Sequence, residues 1–214
     1  SNKLNKGFYD ELLYLMGLEE IKVENKKVIS RLPINKRQKG SLVENIIERL
    51  NMNDVEEDKQ FDNAIQLAVI WVNRILFLKL LESQLITFNK DENYKFLTMD
   101  LLPSFTDVYD LFFGVLAKKY DVRSDILKNK FKHVPYLNSS LFEESNLEVS
   151  NNGVSIDRLR QHEIEVYNKT VLKSHDKKRK TGKMNFLSYL FEFLNAYDFS
   201  TSIKHDKKNK NELI

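Results

Sequence analysis

The chain of 214 residues contains no cysteine, only three prolines and only six glycines. The lack of cysteine excludes disulfide frameworks and thiolate metal sites, and it suits the cytoplasmic location that we expect. Few prolines and glycines mean few helix breakers, which favours a mainly helical protein. No charged segment followed by an apolar one opens the chain, so no secretory signal is visible. The net charge of only +3 does not by itself indicate a nucleic-acid partner.

Residues 70–82 form the most apolar stretch, yet they include Asn73, Arg74, Lys79 and Glu82. A membrane span needs about 20 apolar residues with few or no charges. We therefore predict a helix that is buried in protein and surrounded by other helices, with no membrane partner. An unpaired buried charge is costly, so Arg74 and Lys79 are expected to reach carboxylates or to extend to solvent. Structural pairing is favoured over a role in ligand binding.

Apolar residues recur at three- and four-residue steps in several segments, and each such segment predicts a helix. Ser41 with Glu44 has the spacing of a capping box, and Thr106 and Asn185 are the expected N-caps of two later helices. Gly17 is the expected end of the first helix. The predicted helices cover residues 4–17, 41–52, 55–88, 105–119, 123–131 and 185–199.

Two segments carry signals for small β-hairpins. In residues 19–31, apolar and polar residues alternate before Asn25 but not after it, which is a weak hairpin signal. Asn152-Gly153, flanked by alternating apolar residues in 147–156, is a strong one. Residues 156–172 are ambiguous, and residues 170–185 are expected to be a basic loop. The predicted fold is mainly α, an irregular helical bundle around a long buried central helix, with one or two small β-hairpins.

The sequence shows no catalytic constellation. Its four histidines, His133, His162, His175 and His205, lack a helix-spaced partner for metal binding. The runs of neighbouring carboxylates are typical of solvated helix ends, and no nucleophile elbow or phosphate-cradling loop is present. We therefore assign no catalytic, metal-binding or cofactor-binding residue.

Basic clusters are the one functional signal. Residues 173–183 contain six basic residues against one acidic residue, a second group lies in 36–39, and further lysines follow in 204–210. Such clusters can contact phosphates without regard to sequence, or they can be solvated loops. No aromatic residue is interleaved within them, so base stacking is not indicated. The candidate contacts to a DNA backbone are Lys177, Lys178, Arg179, Lys180, Lys183, Lys36, Arg37 and Lys39.

Six segments in order resemble the helical region that precedes the catalytic domain of type IIG restriction–modification enzymes, which carry an adenine-specific DNA methyltransferase. These segments are residues 8–20, 40–45, 70–86, 134–143, 170–173 and 187–199. None of them is a catalytic motif, and the signal lies in their order along nearly the whole chain. Where broader relatives often have Asn-Gly-Gly-Leu-Phe, residues 138–142 read Asn-Ser-Ser-Leu-Phe, so a backbone approach that needs those glycines is in doubt.

The resemblance implies a parent enzyme that methylates adenine with S-adenosylmethionine, with or without a magnesium-dependent nuclease. The Asn-Pro-Pro-Tyr motif and the glycine-rich turn of such methyltransferases do not occur in this chain. Glu57-Asp58-Lys59 matches a short nuclease pattern, but its position at a predicted helix start makes it a coincidence. No cofactor is therefore expected to bind these residues themselves.

The expected role is that of a non-catalytic helical connector covering residues 1–200, followed by an exposed basic tail, 201–214, that leads towards a methyltransferase domain. Because the chain begins with Ser1 rather than methionine, we expect a fragment of a longer protein. Its partners would be DNA, through the parent enzyme, and the methyltransferase and nuclease domains of the same polypeptide. The alternative is a helical protein-interaction or regulatory module without a nucleic-acid role. In that module Phe191, Phe193 and Tyr197 would form a partner-binding face, although an ordinary core is favoured for them.

Overall fold

The computed structural model describes residues 4–199, and the predicted basic tail and His205 lie outside this part of the chain. The described residues are mainly helical, with seven α-helices and two small antiparallel sheets of two strands each, so the predicted fold class is confirmed. The helices are α1 (Lys6–Met16), α2 (Leu42–Met52), α3 (Glu57–Asn89), α4 (Phe105–Tyr109), α5 (Asp125–Lys130), α6 (Asn146–Val149) and α7 (Phe186–Asn195). The strands are β1 (Leu18–Val23), β2 (Lys26–Arg31), β3 (Glu163–Glu165) and β4 (Lys183–Asn185).

Helix α3 is the central element of the fold, as the sequence predicts. It is 33 residues long, and Ala64, Leu67, Trp71 and Leu78 on its inner face are fully buried. Its length and composition alone would allow it to cross a membrane, a criterion that core helices of soluble proteins also meet. Half of its most apolar window is buried inside the protein, so within residues 4–199 the other helices cover one side of α3 rather than all of it.

The first hairpin follows directly from helix α1. Gly17 ends α1 with a φ of +82°, and its N–H donates to the carbonyls of Leu13 and Tyr14, which confirms the predicted stop. Strands β1 and β2 then pair antiparallel, with Val23 opposite Lys26. Glu24 and Asn25 between them both have positive φ, as a two-residue hairpin turn requires. The weak hairpin signal in 19–31 is therefore confirmed.

One predicted helix cap is wrong, and a second lacks its predicted capping box. The N-cap of α4 is Ser104 instead of Thr106, because the Ser104 N–H donates to the Asp107 carboxylate and the Ser104 hydroxyl accepts from the Asp107 N–H. Ser41 is the N-cap of α2 as predicted, but its hydroxyl donates to a loop carbonyl, and Glu44 pairs with Arg31 at 2.7 Å. The expected capping box therefore does not form. Helix α4 also continues as a π-helix over Asp110–Leu116, which the sequence did not indicate.

The hairpin predicted at Asn152-Gly153 is wrong. The residues before it form the short helix α6, which leads into a tight turn in which the Val154 N–H donates to the Leu147 carbonyl at 2.9 Å. A Cβ atom at Gly153 would lie 2.3 Å from that same carbonyl oxygen, so only glycine fits. Glycine at position 153 therefore allows a close backbone approach and does not mark a hairpin turn.

The second hairpin lies elsewhere, between the ambiguous segment and the basic loop. Strand β3 pairs antiparallel with β4, and the buried side chains Ile164 and Met184 lie opposite each other. Residues 183–185 are thus a strand rather than the loop end that the sequence predicts. Helix α7 begins immediately after β4, and Asn185 is its N-cap as predicted, because its side chain accepts from two backbone N–H groups.

The aromatic residues of the last helical segment belong to the core. Phe191, Phe193 and Tyr197 are all buried. The ring of Phe193 stacks on Phe8 of helix α1 at 5.1 Å, and the ring of Tyr197 meets Phe8 edge-on at 4.9 Å. The core assignment is confirmed, and the alternative of an exposed partner-binding face at these residues is wrong.

Candidate nucleic-acid interface

The charge on Arg74 is fully satisfied inside the protein. Its guanidinium forms an ion pair with Glu148 at 2.6 Å and donates to the carbonyls of Leu141 and Glu143 at 2.7 and 2.8 Å. Trp71 donates to the same Glu148 carboxylate at 2.7 Å. The expected structural pairing of Arg74 is confirmed, and four of its five guanidinium N–H groups donate to these partners.

The contacts around Glu148 shift the pKa of its carboxyl group. Burial acts to raise the pKa of its carboxyl, but the hydrogen bonds from Arg74, the Ser145 N–H and Trp71 together leave the pKa below its ordinary value. The charged form of Glu148 is therefore the stable one in the folded protein. The pair fixes α6 and the loop before it against α3.

Lys79 and Glu82 form a second buried pair in the same helix, with 2.7 Å between ammonium and carboxylate. Lys79 also donates to the side chain of Asn195 in α7 at 2.7 Å. The other oxygen of Glu82 accepts the N–H groups of Phe96 and Leu97 at 2.8 and 2.7 Å. This pair therefore ties α3 to α7 and to the segment that follows α3.

A third buried group, Glu11, was missed by the sequence analysis. Its carboxylate accepts from the hydroxyls of Thr170 and Tyr189 and from the Val171 N–H, and no cation pairs with it among residues 4–199. Burial and the hydrogen bond to Glu11 raise the pKa of Tyr189 well above its ordinary value. The available signal was the position of Glu11 on the apolar face of α1, three residues after Phe8. These contacts anchor the start of the basic loop.

An open cleft of about 1020 Å³ brings together two of the basic groups that the sequence singled out. Its walls come from α1, residues 32–40 and residues 162–169. Its cations are Lys6, Lys36, Arg37, Lys39, Lys169 and Lys183. Its carboxylates are Asp10, Glu19, Glu20, Glu163 and Glu165. The cleft therefore has a mixed lining with a small excess of positive charge.

The basic residues 36–39 follow or end a single 3-10 turn, Ile34–Lys36, and contacts with other segments hold them in place. The Gln38 side chain accepts from the Glu165 N–H and donates to the Tyr14 hydroxyl, both at 2.8 Å, and Tyr14 donates to the Glu165 carbonyl at 2.6 Å. A Cβ atom on Gly40 would lie 2.0 Å from the Glu163 carbonyl oxygen. Residue 40 must therefore be glycine for this loop to lie against β3.

The other basic residues lie on a small loop beside the cleft. Within it the Lys180 N–H donates to the Leu172 carbonyl at 2.9 Å, and Arg179 pairs with Lys173 as an isolated β-bridge. A neighbouring cavity of about 420 Å³ is lined by Arg179, Lys180 and Lys183, and it shares Lys183 with the larger cleft. The two predicted basic groups therefore border adjacent cavities.

The eight candidate contacts differ in whether their charged groups already have a partner within the protein. Lys180 pairs with Glu192 at 2.8 Å, Lys178 lies 3.5 Å from Asp176, and Arg179 donates to a carbonyl. Arg37 donates to the Leu32 carbonyl at 2.8 Å. The remaining four have no ion pair within the described part of the chain, and these are Lys36, Lys39, Lys177 and Lys183.

Two histidines of the described segment contact the side chains of other residues. His162, which lines the cleft, lies 3.0 Å from Glu48, and this contact lowers the pKa of the Glu48 carboxyl. His133 packs its ring on Tyr94 at 4.6 Å. No group of three or more His, Asp or Glu side chains between residues 4 and 199 is arranged to hold a metal ion.

The geometry defines a mainly helical domain with a long half-buried central helix and a cleft of mixed charge beside its second sheet. The chain belongs to the family DUF7814, a domain of unknown function, whose sequence profile matches residues 1–214. It is also similar to a Methanocaldococcus jannaschii protein named "Putative type II restriction enzyme and methyltransferase", with 30% identity over 156 residues. That match covers 68% of this chain but only 12% of the relative's length. No solved structure matches the chain.

Proposed function

We propose that this chain is a non-catalytic helical connector of a restriction–modification enzyme that methylates adenine in DNA, and that it adds sequence-independent contacts to the DNA backbone. The observation that carries this proposal is the similarity to the M. jannaschii protein over 156 residues. The ordered segments that resemble the region before a type IIG methyltransferase support the finer assignment. The enzyme would act in the cytoplasm.

The internal charge pairs support the role of connector. The Arg74–Glu148 ion pair joins α3 to α6, and the hydrogen bond from Lys79 to Asn195 joins α3 to α7, so these contacts hold distant parts of the chain in one arrangement. A rigid spacer of this kind would keep a methyltransferase and a nuclease at a fixed separation. S-adenosylmethionine, and magnesium where a nuclease is present, would bind those other domains. The adenine would have to leave the duplex to be methylated there.

The cleft supports the contact with DNA. Lys36, Lys39 and Lys183 come from two segments about 145 residues apart, they are exposed, and they line one cavity without ion pairs among the described residues. Lysine ammonium groups bind phosphate through charge, which supplies affinity without sequence preference. The neighbouring carboxylates reduce the positive field, so we expect weak binding that salt suppresses readily.

The test measures binding of the chain to a random-sequence DNA duplex by fluorescence anisotropy, from about 50 to about 200 mM salt. We expect micromolar affinity at low salt. The triple variant Lys36→Ala, Lys39→Ala, Lys183→Ala should lower the slope of log affinity against log salt by about 2 to 3, since each lost phosphate contact removes about 0.9. A second variant with alanine at residues 177–180 tests the basic loop separately.

The matched control removes the same charge elsewhere. Lys118, Lys119 and Lys132 are exposed and have no ion pair in the described part of the chain, and they lie outside the cleft. Their triple alanine variant should keep the salt slope of the unaltered chain. If both triple variants lose the same salt slope, the effect is one of net charge and not of a defined contact. If the unaltered chain does not bind DNA at low salt, the DNA contact is contradicted and only the connector role remains. Methyl transfer by this chain would contradict the non-catalytic assignment.

A further inference from the structure

Beyond residue 62, helix α3 carries its charges on the inside. Between residues 63 and 89 its charged residues are Arg74, Lys79 and Glu82, and their exposed fractions are 1%, 6% and 0%. The opposite face, here called the outer stripe, has neutral side chains at least partly exposed to solvent. The outer stripe consists of Val69, Asn73, Leu76, Phe77, Leu80 and Gln84.

This arrangement is the reverse of an ordinary surface helix, which turns apolar residues inward and charges outward. Val69 is 44% exposed, Phe77 is 39% exposed, and Phe88 beyond the stripe is 87% exposed. From residue 65 to residue 88 the outer face extends for about 35 Å without a charge. Contiguous exposed apolar surface on a soluble domain commonly marks a contact site.

The outer stripe and its uncharged extensions to residues 65 and 88 form one outer face, and the size of this face indicates what kind of partner covers it. A face about 35 Å long and about 10 Å wide has roughly 350 Å², which is less than half of the roughly 800 Å² per partner in a stable complex between free proteins. Two such faces bury roughly 700 Å², within the range of contacts between domains of one chain. Tethering supplies millimolar effective concentration, so a contact of this size suffices between linked domains.

We infer that the outer stripe of α3 is the docking face for an uncharged, apolar helix or sheet of an adjoining domain in the same polypeptide. This inference rests on the proposed function, because it requires a longer chain. The relative supports it, since the match covers only 12% of that protein's length. The lack of charge on the stripe excludes a partner that binds by ion pairs.

A protein surface fits the outer stripe better than lipid does. The amides of Asn73 and Gln84 are exposed on it and make no hydrogen bond to other described residues. An amide placed in hydrocarbon without a hydrogen-bond partner is energetically unfavourable. A protein partner can supply donors and acceptors at these two positions.

The test uses the absence of cysteine, which makes any introduced thiol unique. Asn73→Cys on the outer stripe is compared with Asn129→Cys, an exposed helical asparagine on α5 away from the stripe. In the full-length polypeptide, maleimide should label the stripe thiol on the order of tenfold more slowly, because a contact populated nine-tenths of the time blocks it by that factor. Adding Val69→Glu, a change at an exposed position of the stripe, in the Asn73→Cys background should restore the control rate.

Three outcomes would overturn the inference. Equal labelling of the two thiols would mean that nothing covers the stripe. Protection that disappears on dilution, with a dimer in sedimentation, would assign the stripe to a second copy. Protection that appears only with phosphatidylcholine vesicles would assign it to lipid. If the chain does not bind DNA but the thiol at residue 73 is still protected, only the proposed DNA contact is contradicted. The DNA contact and the docking face can therefore fail separately.

Discussion

The charges inside helix α3 and the basic residues around the cleft differ in almost every physical respect. Arg74 and Lys79 are buried, and each has an ion-pair partner and further hydrogen bonds at 2.6–2.8 Å. Lys36, Lys39 and Lys183 are exposed and have no ion pair in residues 4–199. The first group therefore acts on folding, and the second is available to an external anion.

The difference follows from the cost of removing charge from water. A buried charge without a partner costs several kcal/mol, so a sequence that places arginine in an apolar helix also has to supply its partner. An exposed charge keeps its hydration, and its pairing contributes only about 0–1 kcal/mol. Charges inside α3 are thus informative about structure, whereas clusters on loops are informative about function only after their position is known.

The largest expected effect is that of Arg74→Met, which leaves Glu148 buried without a cation. The free energy of unfolding should fall by about 3–5 kcal/mol, measured by urea denaturation. Arg160→Met is the control, because its pair with Glu48 is 3.7 Å long and half-exposed, and it should cost below about 1 kcal/mol. Adding Glu148→Leu to Arg74→Met should recover much of the loss. Similar costs for both single variants would contradict the comparison.

The second effect is that of Glu82→Gln, expected to cost about 2–3 kcal/mol. The Glu82 carboxylate accepts from Lys79 and from the N–H groups of Phe96 and Leu97, and an amide would place its own donors against one of these donors. Hydrogen exchange at Phe96 and Leu97 should accelerate in the variant. Glu92→Gln, on an exposed residue, should change neither quantity.

The third effect concerns acid. Because the pKa of Glu148 is lowered by folding, its contribution to stability is present above about pH 4.5 and is lost as the pH falls through its folded pKa. Urea denaturation below pH 4.5 should therefore show falling stability. The difference in free energy of unfolding between the unaltered chain and Arg74→Met should decrease over the same pH range, by about 1.4 kcal/mol per unit of pKa difference. A constant difference would show that the pair does not titrate as described.

The smallest effect is that of Lys180→Ala, which breaks the partly exposed pair with Glu192. We expect a loss of about 0–1 kcal/mol in the same denaturation experiment. Glu192→Ala should give a similar value. A loss above about 2 kcal/mol would mean that the basic loop contributes to the core structure, and it would remove the distinction between the two groups of charges.

Local sequence patterns predicted elements where the deciding contacts were also local. The turn at Glu24 and Asn25 joins strands of neighbouring residues, and Gly17 and Asn185 cap helices through groups within four residues. The cap at Thr106 and the capping box at Ser41 were wrong because neighbouring residues offered competing hydrogen bonds that a spacing rule does not rank.

The site was less predictable than the fold. The sequence identified the basic residues, but not that Lys36, Lys39 and Lys183 would line one cleft. The loop that carries Lys36 and Lys39 is positioned by Gln38 and by the close approach of Gly40 to β3, and both contacts cross more than 120 residues. Glu11 escaped notice because its partners lie about 160 residues away.

The sequence by itself determined that this protein is mainly helical, that a long apolar helix lies at its centre, and that the charges of that helix need partners. These conclusions depend on periodicity and on the cost of burying charge, which act over a few residues. The tertiary structure alone decided that Glu148 pairs with Arg74, that Asn152-Gly153 forms a turn after a helix, and that one face of α3 stays uncovered in residues 4–199. Those outcomes depend on which distant segments pack together, and packing is a property of the whole chain.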